Sequence, residues 1–115
     1  MTSQRTISPV DGRVYVERTL ATPVQIEAAL ANACLVQRAW RGVGMTERAA
    51  ILGRFCDAFE SHGEAIAEEL SWQMGRPLRY APSEVRGTLE RARHMIAIAP
   101  GALADIDVGP KAGFH

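Results

Sequence analysis

Between Ser8 and Trp40 the hydrophobic period of the chain changes once, from two to about 3.6, and that change limits it to a hairpin followed by helices. Pro9-Val10-Asp11-Gly12 supplies the turn, because Gly12 accepts a positive φ without a Cβ clash. Arg13-Val14-Tyr15-Val16-Glu17-Arg18 then alternates, which puts Val14 and Val16 on one apolar face. The reading is a hairpin over 7–20, with Pro9 at a strand end or edge. Two strands alone are marginal in water, so the hairpin must dock on something.

Four helical patterns follow, at about 23–40, 47–61, 63–74 and 83–99. Thr22 is a good N-cap, Pro23 suits the first helical position, and Gln25 completes a capping-box pattern. Ile26, Ala29, Leu30, Ala33, Val36 and Trp40 form one stripe on the first helix, which Gly42 and Gly44 end. The second takes Thr46 as N-cap, with Glu47 favourable to the helix dipole; Ile51, Leu52, Phe55, Ala58 and Phe59 face a core, and Ser61-His62-Gly63 breaks it. On the third, Ile66, Leu70 and Met74 share a face; Gly75 is a suitable C′ residue and Pro77 prevents continuation. The fourth starts near Pro82-Ser83-Glu84, carries Val85, Leu89, Ala92, Ile96 and Ala99, and is closed by Pro100-Gly101. The tail, 102–115, lacks a helical period; Ile106 and Val108 have the character of a strand start, and Gly109 to Gly113 reads as loop.

A chain of 115 residues is at most one domain and buries one modest core. Thirteen basic and thirteen acidic residues cancel, so no global field favours nucleic acid or an anionic membrane. The local cluster Arg86, Arg91 and Arg93 is interleaved with Glu84 and Glu90, the pattern of a solvated helix face. Met1 to Thr6 is polar and not a secretory signal, and no apolar run approaches the length of a membrane span. Two separated cysteines without CxxC spacing fit neither a disulfide framework nor zinc, and a cytoplasmic location is expected.

The pattern shows no catalytic constellation. Cys34 and Cys56 sit within helices, away from the helix starts and metals that lower a thiol pKa, and read as small buried hydrophobes. His62 lies at a helix break, His94 follows Glu90 at i+4 as a helix-surface pair, and His115 is the final residue. Glu64, Glu68 and Glu69 read as exposed helix polarity. Gly42-Val43-Gly44 follows a helix rather than a strand, the wrong setting for dinucleotide binding. The expectation is therefore no catalytic, cofactor-binding or metal residue.

The order of these segments resembles the N-terminus of the aldehyde dehydrogenase superfamily. Ser8-Pro9-Val10-Asp11-Gly12 is similar to its Asn-Pro-x-Thr-Gly turn, Glu47-Arg48-Ala49 to the Glu-Arg-Ala start of its second helix, and Gly75-Arg76-Pro77 to its Gly-Lys-Pro turn. Gln73-Met74 stands where Glu-Thr is usual, and Arg93-His94-Met95 where Arg-Tyr-Tyr is frequent. The resemblance implies an α/β parent fold, of which this chain is a mostly α portion: an N-terminal hairpin and about four amphipathic helices. It implies oxidation of aldehydes to acids with NAD or NADP, by a cysteine thiolate, an Asn that holds the oxyanion and a Glu that activates water, all beyond His115. The chain alone is expected to be inactive and to bind no cofactor. Its expected partners are the remainder of the dehydrogenase fold or an equivalent subunit, in a homo-oligomer. The alternatives are a non-catalytic remnant acting as an interaction module and an unrelated helical binding domain.

Overall fold

The computed structural model describes residues 2–110 and 112–113. Among them lie two strands, β1 (Ser3–Ile7) and β2 (Val14–Thr19), and four helices, α1 (Pro23–Trp40), α2 (Met45–Ser61), α3 (Gly63–Met74) and α4 (Ala81–Ala102). His115, and Lys111 of the expected loop, lie outside the described residues. The mostly helical chain with an N-terminal hairpin is thus observed.

β1 pairs antiparallel with β2, from Ser3 opposite Thr19 to Ile7 opposite Val14. The strand begins earlier than the expected start at residue 7, inside the polar terminus. It is held by pairing rather than by apolar burial: Arg5 Nε lies 3.1 Å from the Glu17 carboxylate, and Ser3 Oγ donates to Glu17. The register slips between Thr6 and Ile7, leaving Tyr15 as the additional residue on β2. Such a bulge bends a strand and re-aims a side chain, and here Tyr15 stacks on Trp72 of α3, with ring centroids 6.1 Å apart.

α1 opens as its residues dictate. Thr22 is extended, its hydroxyl accepts the Gln25 N–H, and Gln25 Oε1 accepts the Thr22 N–H, so the capping box is complete. None of the residues of α1 is buried, those of its apolar stripe included. The local signals that make the helix are present, but no described element covers it. Val24 is 77% exposed and Leu35 64%. With no neighbour packed along it, α1 depends on its ends. Replacing Thr22 by valine should cost about 0.5–2 kcal/mol of helix stability, read as a loss of far-ultraviolet helicity and faster exchange of the α1 amides.

α2 starts at Met45, not behind a Thr46 cap: Gly44 is the N-cap and makes no side-chain bond. The contact that accompanies this start reaches outside the helix. Arg48 Nη2 donates to the Trp40 carbonyl at 2.7 Å and its guanidinium lies 5.3 Å from the Trp40 ring centroid, which draws the first turn of α2 against the end of α1. α4 likewise runs past its expected end, through Pro100 to Ala102. Proline in a last turn forfeits one helical bond and leaves little helix beyond it to disturb, and the Leu103 N–H still reaches the Ala99 carbonyl. Residues 105–110 form neither helix nor strand, and Ile106 and Val108 are exposed with no neighbouring strand to pair with among the described residues.

The core lies where α2, α3 and α4 meet. Cys56, Val85 and Leu89 are buried at its centre, with Phe59, Ile66, Ala92 and Ile96 packed around them. Arg93 of α4 reaches Glu60 at 2.6 Å and Asp57 at 3.4 Å on α2, and its guanidinium holds the Glu60 carboxyl below the ordinary range. The radius of gyration is 20.8 Å, against about 13 Å for a compact chain of this length.

Candidate functional site

The most fully built constellation is the joint between the hairpin turn and the end of α3. Ser8 is 1% exposed, the sole buried polar residue among those described. Its hydroxyl donates to the Trp72 carbonyl at 2.7 Å and accepts the Val10 N–H at 3.2 Å. The Ser8 N–H donates to the Arg13 carbonyl, and the Gly12 N–H to that of Ser8, closing the turn. The Asp11 carboxylate accepts the Arg13 N–H at 3.0 Å and the Arg13 Nε at 2.7 Å, which holds it below its ordinary pKa. Beside the turn, Tyr15 Oη donates to Glu69 at 3.0 Å, a bond that raises the phenol's pKa, and Gln73 donates to the other oxygen of the same carboxylate. Gly75 ends α3 at φ +70°, under the Pro9 ring.

An open groove runs from this joint between Val10, Trp72, Arg76 and Leu78, and a second lies between Phe59, Ile66, Leu70, Met74 and Val85. Arg76, which lines both, pairs with Glu84 at 2.6 Å. Nothing in either groove pairs a nucleophile with a base.

The residues weighed for chemistry are dispersed. Cys56 is 1% exposed in the core, as expected of a small hydrophobe. Cys34, expected to be buried, is exposed, because no described element covers α1. His62 caps the junction of α2 and α3, where its Nδ1 donates to the Ala58 carbonyl at 2.8 Å. His94 makes no bond to Glu90 among the described residues; its neighbour Arg93 makes the bridges to α2 instead. Glu64 and Glu68 border the first groove, and Glu69 is held by Tyr15 and Gln73. No group of three or more His, Cys, Asp or Glu residues among the described positions is placed to hold a metal ion, and no described helix is long and apolar enough to cross a membrane.

Residues 1–108 match the aldehyde dehydrogenase family. The chain belongs to that family. It is 38% identical over 74 residues to a fluoroacetaldehyde dehydrogenase of Streptantibioticus cattleyicolor, an alignment covering 64% of this chain and 15% of the relative. It is 29% identical over 104 residues to a probable aldehyde dehydrogenase of Streptomyces coelicolor, covering 87% of this chain and 20% of the relative. An NAD-dependent benzaldehyde dehydrogenase from Corynebacterium glutamicum superposes with a TM-score of 0.83 at 26% identity, over 97% of this chain and 24% of that one. The chain thus matches only 15% to 20% of the length of these curated relatives.

Within this chain the four motifs that carry the family resemblance are packing joints. Ser8-Pro9 sits on the end of α3 beside Gly75. Arg48, of the Glu-Arg-Ala motif, fixes the elbow between α1 and α2. Arg93, of the Arg-His-Met segment, ties α4 to α2. Sequence reasoning missed Ser8, Tyr15 and Trp72 as a unit, because their contacts join residues far apart in the chain and leave no periodic trace.

Proposed function

We propose that this chain is the N-terminal scaffold of an enzyme that oxidises aldehydes to carboxylic acids with NAD or NADP. The observation that carries the reading is the combination of a family match over residues 1–108 with an apolar helix, α1, that no described element covers. A helix apolar around most of its surface belongs in an interior. The remainder of the dehydrogenase fold is the cover we assign to the stripe Ile26, Leu30, Ala33 and Val36. The scaffold supplies shape and joints: hairpin against α3, α1 against α2 at one elbow, and α2, α3 and α4 around a small core. No residue of this chain is assigned to the chemical step or to cofactor contact, and cytoplasmic location and homo-oligomeric assembly complete the proposal.

The experiment is direct. The purified chain, given aldehydes with NAD or NADP, should produce no reduced nicotinamide above a blank. The control is the double variant Cys34→Ser and Cys56→Ser. Turnover by the chain that disappears in that variant would put a nucleophile here and overturn the scaffold reading.

A further inference from the structure

α1 has a second side, distinct from the stripe assigned to the rest of the fold. Val24, Glu27, Ala31, Cys34 and Arg38 recur at alternating spacings of three and four, the repeat that forms a straight seam on a helix. Leu35 flanks the seam. Cys34 is exposed, as are Val24 and Leu35. Glu27 and Arg38 are the sole charged residues of α1, and neither forms a salt bridge among the described residues. They carry opposite signs near opposite ends of the same seam.

From this we propose that α1 pairs antiparallel with α1 of a second copy of this chain. An antiparallel two-fold set between Asn32 and Ala33 brings Glu27 of each copy opposite Arg38 of the other. A parallel pair would set like charges side by side, so the charge pattern selects orientation and register together. Ala31 and Cys34 occupy the middle of the seam, where small side chains let two helix axes approach to about 8 Å. Val24 within the seam and Leu35 beside it then lose their exposure. The seam lies apart from the Ile26, Leu30, Ala33 and Val36 stripe, so the pairing does not depend on how that stripe is covered.

The register has a measurable corollary. With a rise of about 1.5 Å per residue and axes about 8 Å apart, the two Cys34 Cα atoms stand about 5–6 Å apart, within disulfide range. Added glutathione disulfide can then trap the pair. Two Cys34 thiols become one S–S bond, and their two electrons and two protons leave on two molecules of glutathione thiol. A contact one helix wide falls at the small end of protein interfaces, which is why covalent trapping is the suitable readout.

The experiment is cross-linking of the full chain by glutathione disulfide, followed on non-reducing gels with light scattering of the same samples. The chain and its Cys56→Ser variant should give covalent dimer, and Cys34→Ser none. Glu27→Arg alone and Arg38→Glu alone should each cross-link about tenfold more slowly, since both place like charges across the seam. Mixing these two variants should restore the original rate, because each then meets an opposite charge at both ends. That rescue separates pairing from any folding defect, which mixing would not repair. Equal rates for the chain and both single charge variants, or no rescue on mixing, would overturn the proposal.

Discussion

Replacing Gly75 by alanine will lower stability by about 2–4 kcal/mol, because two independent costs meet at one atom. Gly75 closes α3 with φ +70°, the left-handed region, and its N–H donates to the Ser71 carbonyl. A side chain there carries the penalty of that region, about 1–2 kcal/mol. The added Cβ would also stand 2.9 Å from Pro9 Cγ. Pro9 is a ring without a rotamer to escape into, and its neighbour Ser8 is bonded to Trp72, so the contact is relieved only by lifting the hairpin turn off α3. Gly12 provides the comparison. It has nearly the same φ, +73°, but a Cβ added there would meet no heavy atom within 4 Å, so Gly12→Ala should show the conformational cost alone. Urea unfolding of both variants measures the difference. Equal losses at the two positions would mean that the turn does not rest on Gly75.

Ser8→Ala should cost about 1–3 kcal/mol. The substitution removes one oxygen and orphans two groups: the Trp72 carbonyl loses its donor and the Val10 N–H its acceptor. Because the site is 1% exposed, water cannot replace the lost partner without the turn opening. The same urea experiment measures it, with tryptophan fluorescence reporting on the Tyr15–Trp72 stack. An unchanged midpoint would show that the hairpin is held by the stack and not by the hydroxyl.

What could be read from the residues was local. The capping box at Thr22, the break at His62 and the left-handed stop at Gly75 each depend on a few consecutive positions, and each is present. What could not be read depends on partners outside the element concerned. β1 extends into Ser3 to Thr6 because Glu17 pairs with it, not because those residues favour a strand. α2 starts ahead of Thr46 because Arg48 reaches the Trp40 carbonyl. Cys34 is exposed because the helix that carries it has no cover, although its stripe is as apolar as those of helices that pack. The functional reading followed the same division. The family was legible in short motifs, while the role of those motifs as joints emerged only when Ser8, Arg48 and Arg93 were seen against the elements they hold.

The central claim is that the apolar stripe of α1 does not close on the core of α2, α3 and α4, and that the rest of a dehydrogenase fold is its proposed cover. Small-angle X-ray scattering of the Glu27→Arg variant at low concentration, where the weakened pairing through α1 leaves monomer, tests it most directly. Open helices with α1 unpacked predict a monomer with a radius of gyration close to 20.8 Å. A monomer near 13 Å, about the value for a chain of this length folded around its own core, would contradict it.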